Sequence, residues 1–117
     1  MQYEIHKKSN VILKAFVDID ETICFYDDDR IYEKAIPNYE NILKINELYN
    51  SGWLIIYWTA RGSSQQENKN RLQYIKDLTL KQLNSWGALF HELNIGDKKP
   101  LYDLIIDDKA KRIEELA

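Results

Sequence analysis

Val11-Ile12-Leu13-Lys14-Ala15-Phe16-Val17, running directly into Asp18-Ile19-Asp20-Glu21-Thr22, is the stretch that decides how this chain is read. A nearly continuous apolar run suits a central parallel strand buried on both faces. It delivers Asp18 at the carboxyl end of that strand. Asn38 stands where it can cap a helix whose apolar positions Ile42, Ile45, Leu48 and Tyr49 keep helical spacing, and Gly52 is placed to close it. A second apolar strand is expected over residues 53–58, ending at Thr59. Beyond a polar loop over residues 62–66, Leu72, Ile75, Thr79, Leu83 and Trp86 mark one face of a second helix ending near Gly87. A third strand is expected over residues 88–93, a fourth over 101–106 with Asp107 and Asp108 right after it, and a short last helix over 109–116. Strand and helix alternate throughout, which predicts an α/β fold with a doubly wound, mainly parallel sheet. In such sheets ligands bind outside the carboxyl ends of the strands.

The rest of the composition narrows the options. A length of 117 residues fits one domain, residues 1–117, with one core and one active site. The chain is 44% hydrophobic and 30% charged, the balance of an ordinary globular protein, and 3 Trp, 8 Tyr and 3 Phe supply a packed core. A net charge of −3 and Lys/Arg clusters no larger than Lys7–Lys8 and Lys98–Lys99 give no support to a nucleic-acid surface. The single cysteine, Cys24, rules out an internal disulfide and a paired-cysteine zinc site and fits a reducing compartment. Residues 1–14 lack the apolar core of a signal peptide, and no apolar run approaches the about 18 residues of a membrane span. A cytoplasmic location with no membrane partner is the expectation.

The acids at the expected strand ends carry the chemistry: Asp18, Asp20 and Glu21 at the first, Asp107 and Asp108 at the fourth. Carboxylates crowded into a cleft repel one another unless they hold protons or share a cation. An all-oxygen set favours Mg²⁺, which completes its shell with water and phosphate oxygens. Two residues apart on an extended segment, Asp18 and Asp20 point to the same side. One can attack phosphorus while the other gives a proton to the leaving oxygen and later takes one from water. Thr59 can donate to a phosphoryl oxygen, and Lys99 can neutralise the charge that moves.

These residues resemble the four motifs of the haloacid dehalogenase-like (HAD) phosphohydrolases. Asp18-Ile19-Asp20-Glu21-Thr22 looks like the first, Thr59 after its apolar strand like the second, Lys99 before Pro100 like the third, and Ile105-Ile106-Asp107-Asp108 like the fourth. Each motif is weak alone; the ordered set is specific. The resemblance implies a HAD-like Rossmannoid phosphatase with Asp18 as nucleophile and Asp20 as acid/base. It also implies substrate contacts from Thr59, Ala60, Arg61 and Lys99. Mg²⁺ would be held by Asp18, the main-chain carbonyl of Asp20 and an acid of the fourth motif, Asp108 in preference to Asp107. Pro100 favours Lys99 over Lys98 as the motif lysine. Glu21 stands where many members carry glycine. The short gaps from Asp18 to Thr59 and from Thr59 to Lys99 leave no room for a cap domain, so the site would be open, or covered by a neighbouring subunit of a homo-oligomer. The stretches 57–62, 96–100 and 107–110 are similar to small capless phosphatases of capsule or surface polysaccharide biosynthesis, which implies a phosphorylated sugar or related small phosphate ester as substrate.

Plainer readings compete at several positions. Arg61 can grip a phosphate or form a surface salt bridge. Asp107 and Asp108 can cap the last helix. Asp27-Asp28-Asp29 reads as a solvated loop, Phe25 and Tyr26 as core packing in preference to a stacking wall over the open site, His91 as structural, and Cys24 as a small buried residue. Cys24 and Arg30 match the Cys-x5-Arg spacing of cysteine-dependent phosphatases, but the intervening aspartates oppose both a thiolate and a bound phosphate. A non-catalytic phosphate-binding or regulatory protein on the same scaffold is the alternative function.

Overall fold

The computed structural model describes residues 12–27, 29–65, 67–96 and, as backbone strand, 104–106. Lys98, Lys99, Asp107, Asp108 and the expected last helix lie outside the described residues.

A four-stranded sheet in the order β5-β4-β1-β6 forms the centre. Its strands are β1 (Lys14–Asp18), β4 (Leu54–Thr59), β5 (Glu92–Ile95) and β6 (Leu104–Ile106). Every pairing in it is parallel: Asp18 stands level with Trp58, Thr59 with Ile95, and Val17 with Ile106. The chain steps outward from β1 to β4 to β5, then returns to β6 on the other side of β1. This is the reversal of strand order that defines a switch point in a doubly wound sheet, and it falls beside Asp18. The expected α/β Rossmannoid architecture is therefore what the chain adopts.

The two crossovers carry helices α1 (Tyr39–Asn50) and α2 (Lys69–Ser85). Both begin on asparagine caps: Asn38 accepts from the Asn41 N–H at 3.1 Å and Asn68 from the Arg71 N–H at 3.0 Å. Past the end of α1, Gly52 adopts the left-handed conformation (φ 99°) that glycine reaches without strain. Ile42, Ile45 and Leu48 of α1 and Leu83 of α2 share one core with Ala15 and Val17 of β1 and Ile55 and Tyr57 of β4. Phe16 and Ile56 lie in a second cluster, as the alternation of a strand requires. Within the described residues, both helices thus pack on the side of the sheet that carries the odd-numbered positions of β1 and β4.

Two elements differ from expectation. The third strand starts at Glu92, later than the expected 88, because residues 88 and 89 belong to the turn closing α2. There Ala88 N–H donates to the Leu83 carbonyl at 3.0 Å and Leu89 N–H to Asn46 Oδ1 at 2.8 Å. Between β1 and α1, where a loop was expected, β2 (Cys24–Phe25) and β3 (Ile36–Pro37) form a small antiparallel pair around a 3-10 turn at Tyr32–Lys34. Strands of two residues carry too little alternation to be seen in sequence. No other domain interrupts β1, β4 and β5 among the described residues.

Candidate active site

The loop leaving β1 is built on one carbonyl. Ile19 O accepts from the Thr22 and Ile23 N–H groups at 3.2 and 2.9 Å, while the Ile19 N–H continues the ladder to Trp58 O at 3.1 Å. The chain therefore turns one residue after the sheet ends and sets Asp20 on the inside of the turn. Glu21 takes φ 68°, the left-handed region, which accounts physically for the glycine that the resembling family often has there. Its carboxylate pairs with Arg30 across the loop.

Asp20 is the most heavily bonded side chain of the site. Its Oδ1 accepts from the Tyr26 hydroxyl at 2.6 Å and from Arg61 Nη2 and Nε at 3.0 and 3.2 Å. Its Oδ2 accepts from the Thr59 hydroxyl at 3.2 Å and from Arg61 Nε at 3.3 Å. Burial pushes the Asp20 carboxyl up, but the hydrogen bonds and charge of Arg61, helped by the Tyr26 hydroxyl and the Cys24 thiol, outweigh it and hold the group below the usual carboxylate range. The side chain remains 14% exposed, against 0% for its partner Arg61.

Thr59, at the end of β4, is wholly buried and accepts from the Arg61 N–H at 3.0 Å while donating to Asp20. This orients its hydroxyl through two fixed bonds. Asp18 ends β1 at the switch point, partly exposed and level with Trp58. The structure thus brings Asp18, Asp20 and Thr59 to one edge of the sheet. Ala60 is exposed at that edge, immediately after β4.

Arg61 has a different setting from either use expected of it. It is 1% exposed, and its guanidinium is directed at protein acceptors: Asp20, the Tyr26 hydroxyl at 3.1 Å, Thr79 Oγ1 at 3.1 Å and Gln82 Oε1 at 2.6 Å. A surface salt bridge is excluded. Tyr32 lies against the guanidinium, 4.9 Å from its central carbon to the ring centroid. The acceptors are themselves held, since Thr79 donates to the Ile75 carbonyl at 2.7 Å and Gln82 Nε2 to the Tyr32 carbonyl at 2.6 Å. Behind Arg61, Gly62 (φ +81°) lets the backbone approach α2; a Cβ there would meet Leu72 at 2.9 Å.

Tyr26, Thr79 and Gln82 are the members that sequence reading did not assign to the site. Thr79 and Gln82 did leave a trace: two polar residues three apart on the buried face of a helix require a buried partner. Tyr26 left none. Its phenol is pushed far above its ordinary value, by burial first and then by Asp20, so it stays a hydroxyl donor at any working pH. Phe25, expected in the core, is 44% exposed. Cys24 is buried as expected, and burial together with the Asp20 charge pushes its thiol up to about 12. That is the opposite of a nucleophilic cysteine. Arg30 is engaged with Glu21 and lies over the Tyr26 ring at 5.1 Å. His91 is structural: its Nδ1 accepts from the Ile55 N–H at 3.0 Å and its ring stacks on Tyr49.

For a cation, the donors within reach of the described chain are hard oxygens: the Asp18 carboxylate and the Asp20 carbonyl. The Asp20 carboxylate is occupied by Arg61, Tyr26 and Thr59, which fits a main-chain rather than a side-chain contribution. No cluster of three acidic, His or Cys side chains occurs among the described residues.

No protein-family model matches the chain, and no curated protein matches it significantly. Two solved structures are similar. A target protein from Vibrio cholerae aligns with a TM-score of 0.69 at 24% identity, covering 90% of this chain and 87% of its own. The D,D-heptose 1,7-bisphosphate phosphatase of B. bronchiseptica, crystallised with magnesium and phosphate, aligns with a TM-score of 0.50 at 17% identity. That alignment covers 85% of this chain and 54% of the phosphatase. At these identities the likeness is one of fold, and it agrees with the parallel α/β arrangement of the sheet. No helix among the described residues is long and apolar enough to cross a membrane.

Proposed function

We propose that the chain is a Mg²⁺-dependent phosphomonoesterase of the HAD-like type, working through an aspartyl-phosphate on Asp18. The observation that carries this reading is the meeting of Asp18, Asp20 and Thr59 at the carboxyl edge of β1 and β4, beside the switch point, with Thr59 bonded to Asp20 at 3.2 Å. An Asp18 carboxylate oxygen forms a bond to phosphorus as the ester P–O bond breaks; Asp20, held ionised in the free site by Arg61, would first take the proton that a monoanionic ester brings and pass it to the departing oxygen. Water then attacks phosphorus, Asp20 takes a proton from it, and Asp18 is released as carboxylate with inorganic phosphate as product. Asp18, the Asp20 carbonyl and Asp108 or Asp107 would hold Mg²⁺, which would screen the repulsion between carboxylate and phosphate. Ala60 and Lys99 would bind the phosphoryl oxygens, and Thr59 would join them by turning its hydroxyl from Asp20 Oδ2 to the phosphate.

A phosphorylated sugar or related small metabolite is the substrate class this reading favours. The similarity in fold to a heptose bisphosphate phosphatase supports it.

The test is release of inorganic phosphate from sugar phosphates, nucleotides and 4-nitrophenyl phosphate, with Mg²⁺ and with EDTA. Metal-dependent release that falls at least about 10³-fold in Asp18→Asn is expected. An active Asp18→Asn protein free of deamidation sinks the mechanism. Folded wild type that binds Mg²⁺ yet releases nothing supports the non-catalytic phosphate-binding alternative.

A further inference from the structure

The sequence reading gave Arg61 to the substrate, yet every guanidinium nitrogen meets a protein acceptor and the side chain is closed off from solvent. What Arg61 does touch is Asp20, and it touches the two oxygens unequally. Oδ1 receives Nη2 at 3.0 Å and Nε at 3.2 Å together with the Tyr26 hydroxyl at 2.6 Å. Oδ2 receives the same Nε at 3.3 Å and the Thr59 hydroxyl at 3.2 Å. A planar fork with fixed directions imposes an orientation on a carboxylate that a point charge cannot.

The fork is in turn braced from behind. Nη1 bonds Thr79 and Gln82 of α2, and the Gln82 amide is itself anchored to the Tyr32 carbonyl in the turn between β2 and β3. Tyr26, before that turn, and Tyr32, within it, also lie against the guanidinium. One side chain therefore ties the end of β4, the loop after β1, the β2–β3 hairpin and α2 together at Asp20.

We infer that Arg61 is a positioning residue: braced by Thr79 and Gln82, it fixes the Asp20 carboxylate chiefly through Oδ1, and Oδ2, held by the longer Nε bond at 3.3 Å and the Thr59 hydroxyl at 3.2 Å, is the oxygen for proton transfer. This rests on the phosphatase reading above. It replaces a substrate contact with an orienting one, and the two make different kinetic demands. A leaving oxygen that is a weak base, as in 4-nitrophenyl phosphate, departs with little help from an acid, whereas an alkyl oxygen needs the proton. Loss of orientation at Asp20 therefore harms alkyl esters selectively. Loss of a phosphate contact harms every ester and raises KM.

The experiment compares wild type, Arg61→Lys and Gln82→Met on the best alkyl phosphate of the panel and on 4-nitrophenyl phosphate, with thermal unfolding measured on the same samples. For Arg61→Lys we expect kcat on the alkyl ester to fall on the order of 10²-fold, with a fall of less than about 10-fold on the aryl ester and KM changed by less than about 3-fold. Gln82→Met, which leaves Asp20 and its own contacts in place, is expected to show the same selectivity at smaller size and carries the test if Arg61→Lys does not fold. A rise in KM on both esters overturns the inference in favour of substrate binding. Unchanged kcat on both, or equal falls in folded variants, overturns it in favour of a purely structural role. Wild type inactive on every ester overturns the phosphatase reading and the inference together, whereas active wild type with unselective variants overturns the inference alone.

Discussion

Two arginine–carboxylate pairs flank the loop after β1, and both touch Tyr26. Arg30 pairs with Glu21 and lies over the Tyr26 ring; Arg61 pairs with Asp20 and donates to the Tyr26 hydroxyl. In the first pair the side chains are 52% and 46% exposed, in the second 0% and 14%. Water competes for the outer pair at every moment, so it adds little to stability. The inner pair has given up that water, and its charges depend on one another and on Thr59, Thr79, Gln82 and Tyr26. The same two functional groups, about one loop apart, thus form a surface decoration and a keystone. Burial makes the difference.

The largest expected effect separates the two pairs directly. Arg61→Met leaves Asp20 half-stranded in a buried site and is expected to cost about 3–5 kcal/mol in urea unfolding, whereas Arg30→Met is expected to cost no more than about 1 kcal/mol. Equal losses would break the comparison. Acid sharpens it next. The folded Asp20 carboxyl lies below its unfolded value, so the inner pair contributes in full above about pH 4 and its contribution is lost as pH falls through the folded value. In EDTA, wild type is therefore expected to lose stability more steeply than Asp20→Asn as pH falls below about 4; parallel curves would show that the pair is not linked to folding in this way. The smallest effect concerns the outer loop. Glu21 holds φ 68°, so Glu21→Gly removes a strain on the order of 1 kcal/mol, offset by the entropy glycine brings to the unfolded chain and by the loss of an exposed pair. A change within about 1 kcal/mol of wild type is expected by the same unfolding measurement, and a large loss would mean that the Arg30 pair matters after all.

The contrast also explains where sequence reading succeeded. Spacing drew attention to Arg30 because five residues separate it from Cys24, while Arg61 was divided between a phosphate contact and a surface pair. Both views judged an arginine by its near neighbours in the chain. The partners of Arg61 lie 41 positions away at Asp20, 35 at Tyr26, 18 at Thr79 and 21 at Gln82, and no local pattern connects them. The strands and helices were legible for the opposite reason. Apolar runs, asparagine caps and glycine stops act within a few residues, and β1, α1, β4 and α2 each carry their own. The third strand slipped because residues 88 and 89 are apolar enough for a strand yet are held in the turn closing α2. The β2–β3 hairpin escaped because two-residue strands have no period to detect.

By itself the sequence determined the alternation of elements, their caps, and the arrival of Asp18 and Thr59 at strand ends, since hydrophobic period and capping chemistry are local. The order β5-β4-β1-β6, the reversal beside Asp18, and the closure of Arg61 around Asp20 were decided only in three dimensions. Removing water from a charge is a property of everything packed around it, and that packing exists only once the sheet, the hairpin and α2 have come together.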